Sequence, residues 1–148
     1  GQTTLWYENG QKKSEVNYKN GKKHGLETVW AVVGERQSEI NYIDGEMDGL
    51  AVHWHGDGKK SEANYKKGRL DGIDTLWYEN TQKMREANYR QGQRDGLTIF
   101  WYENGQKMRE INYKDEKKDG LETVWSVSGK KESETHYKDG KKNGLMAL

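Results

Sequence analysis

The stretch Trp6-Tyr7-Glu8-Asn9-Gly10-Gln11-Lys12, continued by Tyr18-Lys19-Asn20-Gly21-Lys22 and Gly25, holds two Asn-Gly pairs set between runs rich in Thr, Val, Tyr and Trp. Asn-Gly favours the two-residue type I′ turn that joins antiparallel strands, because both central residues need positive φ. The stretch therefore predicts a β-hairpin that runs through a second turn into the next hairpin. Its landmarks recur along the whole chain. Gly-x-x-x-x-Trp appears at Gly1/Trp6, Gly25/Trp30, Gly49/Trp54, Gly72/Trp77, Gly96/Trp101 and Gly120/Trp125. In parallel, Tyr18, Tyr42, Tyr65, Tyr89, Tyr113 and Tyr137 each follow a Glu by three residues, and all but Tyr137 follow an Asn directly. Only the third unit is one residue short, and the loss falls between Gly58 and Ser61.

This periodicity predicts one repeat array over residues 1–148, with units 1–24, 25–48, 49–71, 72–95, 96–119 and 120–143 and a partial seventh at 144–148. The expected fold is all-β: an elongated single-layer antiparallel meander of tandem β-hairpin repeats, an open twisted sheet of about twelve strands, each about 9 to 11 residues long. At the usual strand spacing it would extend roughly 55 to 60 Å along its hydrogen-bonding direction. A helical reading fails because Asn-Gly, Asp-Gly and β-branched residues interrupt every candidate helix. The absence of proline suits a chain of paired strands, where a missing N–H breaks a ladder.

Composition narrows the function classes. The 25 basic and 24 acidic residues nearly cancel, so there is no long-range attraction to nucleic acid or to an anionic membrane. Leu, Ile, Val and Phe together number only 22, which by itself points to disorder, but six Trp and nine Tyr at even intervals oppose that reading. Few aliphatics are needed where no central globular core is built. Cysteine is absent, so disulfides and thiol chemistry are excluded. No apolar run approaches the length of a membrane helix. The array reads as an excerpt of a longer one, because it begins in a Trp-bearing strand and stops before another Trp, with Leu145 and Leu148 giving an apolar edge open to strand addition or self-association.

Two-residue turns at both ends would set Trp6 opposite Lys13, Thr4 opposite Glu15 and Gln2 opposite Asn17. Beyond the second turn Tyr18 would face Lys23, Val16 would face Gly25, Glu15 would face Leu26 and Gln11 would face Trp30. One face then carries the Trp column, the column Leu26, Leu50, Ile73, Leu97, Leu121 and Leu145, and rows of Glu and Asn. The other carries the Tyr column with Leu5, Val29, His53, Leu76, Phe100 and Val124. In this arrangement Gly25, Gly49, Gly72, Gly96 and Gly120 are structural, leaving room for a Tyr ring over the backbone. Tyr18 and its five equivalents are structural as well.

The unit quoted above resembles the MORN-repeat variant of bacterial YwqK-family antitoxins, and the likeness extends over essentially the whole chain. The resemblance implies a hairpin-stack scaffold with a protein-binding role and, in some members, neutralisation of a secreted or contact-dependent bacterial toxin. Better-known MORN repeats imply membrane-adjacent scaffolding and contact with acidic lipid headgroups. The compartment would be cytoplasmic for an antitoxin, and cell-surface or periplasmic if a removed signal preceded this fragment. The chain departs from the pattern at Thr81 and Glu116, which replace turn glycines, and at Ala31, His55 and Ser126, which replace the Tyr after Trp.

Enzyme chemistry finds little support. His53 and His55 share a strand face, but no second strand supplies further ligands, so no metal or cofactor is called for. The column Glu15, Glu39, Glu62, Glu86, Glu110 and Glu134 places successive carboxylates about 10 Å apart with Lys or Arg beside each, which suits a salt-bridged ladder better than acid–base pairs. The glycines sit in hairpin turns and form no phosphate loop. Lysine pairs such as Lys22-Lys23, Lys59-Lys60, Lys66-Lys67 and Lys117-Lys118 lie at turns, where an anionic lipid reading competes with ordinary edge protection and a nucleic-acid reading is weaker still. The first expectation is a protein partner, a bacterial toxin among the candidates, bound through Trp30, Trp54, Trp77, Trp101, Trp125, Tyr78 and Tyr102. The alternative is a membrane-associated scaffold.

Overall fold

The computed structural model describes residues 1–147, with side chains described to residue 144. The apolar character expected of residues 145–148 falls on side chains outside that set. The strands are β1 (Gln2–Trp6), β2 (Lys12–Lys19), β3 (Lys22–Trp30), β4 (Arg36–Ile43), β5 (Glu46–Trp54), β6 (Lys60–Lys66), β7 (Arg69–Trp77), β8 (Lys83–Arg90), β9 (Gln93–Trp101), β10 (Lys107–Lys114), β11 (Lys117–Trp125), β12 (Lys131–Lys138) and β13 (Lys141–Ala147). All pair antiparallel with their sequence neighbours in one 13-stranded open sheet. The thirteenth strand begins at Lys141, in the last residues of the expected sixth unit, and runs on into the partial seventh. β3, at 9 residues, meets the expected strand length, and β2, at 8, falls just short of it.

The two Asn-Gly pairs form different turns. At Asn20-Gly21 both residues have positive φ, 51° and 75°, as the type I′ turn requires. At Asn9-Gly10 only the glycine does. There Gly10 N donates to Tyr7 O at 3.0 Å and Tyr7 N to Gln11 O at 2.8 Å, closing a three-residue loop that ends in a left-handed glycine. The expectation of two-residue turns at both ends is therefore corrected. With the longer loop Trp6 pairs with Lys12 instead of Lys13, and a single-residue bulge at Lys13 restores Leu5 opposite Ser14, Thr4 opposite Glu15 and Gln2 opposite Asn17. The extra loop residue and the bulge cancel, so the expected faces survive.

The second junction also departs from the expected register. Tyr18 faces Lys23, but Val16 then faces Glu27 instead of Gly25, and Glu15 faces Thr28 instead of Leu26. Three residues of β3, His24, Gly25 and Leu26, pass opposite Asn17 alone. A shift of two keeps the alternation of faces. The recurring glycine carries this bulge: Gly25 has φ +100° and Gly96 has φ +105°, where L residues are strained. A Cβ added at Gly25 or Gly49 would meet Asn17 or Asn41 and no tyrosine, so the proposed shielding of glycine by a Tyr ring is replaced by an asparagine contact. The same asparagines close the bulge, with Asn41 Nδ2 donating to Leu50 O at 2.9 Å and Asn88 Nδ2 to Leu97 O at 2.7 Å.

No second layer covers the sheet among the described residues, so burial is confined to the middle rows on both faces. Val16, Ala51, Ala87, Ile111 and Thr98 are buried on one face, and Thr28, Val52, Thr75 and Thr123 on the other. Ile111 is 1% exposed although only a single sheet surrounds it. Long Lys, Arg, Glu and aromatic side chains from flanking rows lie over these small and β-branched ones.

Thr81 holds φ +70° in the loop position that Gly10 and Gly105 occupy, and no side-chain hydrogen bond compensates it among the described residues. Thr81→Gly should therefore stabilise the array by about 1 kcal/mol, while Gly96→Ala should cost about 1 to 2 kcal/mol. Urea midpoints of the two variants check both signs.

Candidate partner-binding face

Each Trp ends an odd-numbered strand, and the basic residue that starts the following strand lies beside it. Lys12 Nζ is 6.0 Å from the Trp6 ring centre and 5.8 Å from Trp30; Lys60 is 5.8 Å from Trp54 and 5.2 Å from Trp77. Lys83 lies over Trp101 and Lys107 over Trp125, each at 5.9 Å. The indole faces are thus turned toward lysines within the sheet, a cation–π arrangement. This leaves no row of bare aromatic platforms for bases to stack on.

The same cations hold the glutamate row. Arg36 pairs with Glu39 at 2.7 Å, Lys83 with Glu86 at 2.5 Å and Lys131 with Glu134 at 2.7 Å, and Lys12–Glu15 and Lys107–Glu110 repeat the contact. Residues three apart on a regular strand point to opposite faces. These pairs meet because the single-residue bulge between them reverses the parity. The third unit tests this rule. It lacks one residue, its register from Gly49/Tyr65 to Trp54/Lys60 runs without a bulge, and its pair is Lys60–Glu62 at 2.8 Å, two apart. The deleted residue is the bulge residue.

Trp30, Trp54, Trp77, Trp101 and Trp125 are half-buried on this face, while Trp6 is mostly exposed. Beside them runs the second column, of which Leu26 is 40%, Leu50 39% and Ile73 45% exposed. The face therefore presents two apolar columns separated by a charge-compensated stripe of Lys, Glu and Thr. Tyr78 and Tyr102 serve a different purpose from the tryptophans. Tyr78 donates its hydroxyl to Trp101 O at 2.6 Å and Tyr102 to Trp125 O at 2.9 Å, as Tyr7 does to Trp30 O at 2.8 Å. Asn9, Asn80 and Asn104 reach the next loop in the same way, at 3.0, 2.8 and 2.9 Å. These residues staple each loop to its successor. Burial first, then the Glu103 charge, pushes the Tyr78 hydroxyl up.

The opposite face carries the other tyrosines. Lys23 lies 4.9 Å from the Tyr42 ring centre, Arg94 4.3 Å from Tyr113 and Lys118 4.6 Å from Tyr137. Burial and the Glu27 carboxylate raise the Tyr42 hydroxyl. Here the charges are less regular: Arg85 pairs with Asp74 at 2.5 Å, and Glu122 receives both Lys118 at 2.7 Å and Arg109 at 3.3 Å. Burial alone would push the Glu122 carboxyl up, but the Lys118 hydrogen bond and the Arg109 guanidinium outweigh it and hold it below the usual carboxylate range. Glu116, the other turn substitution, accepts from Arg94 N at 2.6 Å and Arg94 Nε at 2.7 Å. Its side chain thus gains partners that a glycine would lack. His55 Nε2 lies 3.3 Å from Ser61 Oγ, and His53 pairs across from Ser38 and Ser61. The loop staples were missed by sequence reasoning, although the recurring Tyr-Glu-Asn-Gly-Gln-Lys string was their signal; the basic–Glu pairs are the salt-bridged ladder expected of the glutamate column.

Two outcomes follow for stability. Tyr102→Phe should cost about 1 kcal/mol, the usual net worth of one hydrogen bond, in a denaturant titration. The Glu122 carboxyl titrates lower in the folded chain than the unfolded value of about 4.3, so its contribution is full above that value and is lost as pH falls through the folded one. Thermal unfolding between about pH 5 and about pH 3 should therefore show a shallower acid loss for Glu122→Gln than for the parent chain.

Residues 1–20 and 94–115 match the family model described as a MORN repeat variant. Both stretches contain a Trp-Tyr-Glu-Asn-Gly-Gln-Lys loop, at 6–12 and 101–107. No curated protein matches the chain. MORN repeats are in general protein- or membrane-binding modules without catalytic activity of their own. Two stretches of the chain thus match the MORN repeat variant, and the order of strand, loop and turn that they share recurs along the rest of the sheet.

Proposed function

We propose that the chain is a non-enzymatic scaffold that binds another protein through its Trp-bearing face. The observation that carries this reading is the exposed column Leu26, Leu50 and Ile73 beside the tryptophans, on a face whose central Lys/Arg–Glu row is already paired. An apolar strip rimmed by compensated charge loses little on desolvation and gains area when a partner covers it. Neutralisation of a bacterial toxin is the specific form that the resemblance favours, with the toxin encoded beside its antitoxin.

The purified product of the neighbouring gene, titrated against the chain by calorimetry at moderate salt, tests this reading. Leu26→Ser with Leu50→Ser should weaken binding about tenfold or more while circular dichroism keeps the sheet signature. Unchanged affinity in that folded variant would rule the face out.

A second reading, binding of acidic lipid headgroups, is favoured by the turn Lys66-Lys67-Gly68-Arg69, whose cations are without ion-pair partners among the described residues. Co-sedimentation with phosphatidylserine vesicles, lost as salt rises from about 0.1 to about 0.5 M, would be its signature.

A further inference from the structure

The third unit departs from the others at both ends of one hairpin. At the open end, where Lys60 pairs with Trp77, the bulge residue is missing and His55 stands where Tyr7, Tyr78 and Tyr102 staple their loops to the next. A cleft of about 420 Å³ opens there, walled by Trp54, Trp77, Tyr78, Lys60, Gly58 and Thr81. At the turn end of the same hairpin, Lys66, Lys67, Arg69, Asp71 and Gln91 line a second cleft of about 490 Å³.

Alternation along β6 and β7 puts Lys60, Lys66, Arg69, Asp71 and Trp77 on one face, the face that carries the tryptophans. Ile73, 45% exposed, lies between the two clefts. The ends differ in charge. Glu62 neutralises Lys60 at 2.8 Å, so the aromatic cleft is closed by rings around a compensated cation. At the turn three cations, Lys66, Lys67 and Arg69, outnumber two carboxylates, and both of these are engaged by backbone amides: Asp71 accepts from Gln91 N at 3.4 Å and Asp48 from Lys67 N at 3.2 Å. Six residue steps from Lys60 to Lys66 span roughly 20 Å of extended chain.

We propose that this strip is the specificity-determining dock of the face, and that it takes an extended partner segment with an aromatic side chain at one end and acidic residues about six positions away. The proposal rests on the reading of this face as protein-binding and narrows it to a class of partner. The aromatic side chain enters the cleft against Tyr78 and the edges of Trp54 and Trp77, whose indole faces are turned toward Lys60; the acids meet Lys66, Lys67 and Arg69, which steer association and fix the direction of the segment.

A phage-displayed library of random 12-residue peptides panned on the full chain tests it. Selected peptides should combine an aromatic residue with an acidic pair at the stated spacing. By fluorescence anisotropy, Lys66→Gln/Lys67→Gln/Arg69→Gln should weaken the best peptide about tenfold and flatten its salt dependence. A variant with one extra lysine after Lys60 together with His55→Tyr restores the regular loop, and it should lose the aromatic preference while keeping the acidic one. Peptides without acids, or an affinity indifferent to the three glutamines, would overturn the dock. Binding that survives both variants but fails in Leu26→Ser/Leu50→Ser would overturn the dock and leave the wider face standing. Vesicles of phosphatidylserine that depend on the same three cations, with no peptide selected, would replace the peptide by a lipid surface.

Discussion

A sheet with nothing packed on either side has to cover its own middle rows, and that requirement shapes the rest of the molecule. Side chains such as Ile111 and Ala87 are buried only because the flanking rows are long enough to lean over them. Each unit therefore lends cover to its neighbours, and stability is shared along the array as in other solenoids. Rows must stay aligned for this to work. A slip of one residue would carry every covered side chain to the opposite face.

Alignment is held at both margins of the sheet by contacts between successive loops and turns. On one margin Tyr and Asn side chains of one loop bond to backbone carbonyls of the next. On the other, a turn amide bonds to a carbonyl of the preceding hairpin, as Gly68 N does to Met47 O and Gly92 N to Leu70 O. These contacts satisfy polar backbone groups that a free hairpin would leave to water. The departures differ in consequence. Glu116 recruits Arg94 from the neighbouring turn, whereas Thr81 occupies a left-handed position with no compensating side-chain bond among the described residues.

Much of the architecture was legible in the sequence, for identifiable reasons. Strand order, the open meander and the two faces follow from the recurrence of Gly, Trp, Asn and Tyr, since alternation converts spacing directly into sidedness. Local register was not legible. Asn9-Gly10 and Asn20-Gly21 are the same dipeptide, yet one closes a three-residue loop and the other a two-residue turn. Which one forms depends on how the loop stacks against its neighbours, and a dipeptide does not encode that. The expected faces still emerged because the extra loop residue and the bulge at Lys13 offset each other. At the candidate site, sequence identified the tryptophans but gave no sign that lysines cover their rings. Nor did it show that Tyr78, which walls a cleft beside Trp77, spends its hydroxyl on joining units as Tyr102 does.

The bulge that sits between each basic residue and its glutamate also acts as a dispensable spacer. Where it is absent, between Trp54 and Glu62, the ion pair re-forms at a shorter spacing and the pairs Gly72–Tyr89 and Gly96–Tyr113 resume the regular register downstream. A length change at that point is absorbed within one hairpin instead of being passed along the sheet. Such an array can alter the shape of a single junction while the remainder stays in frame, which lets one fold diversify its surface one unit at a time.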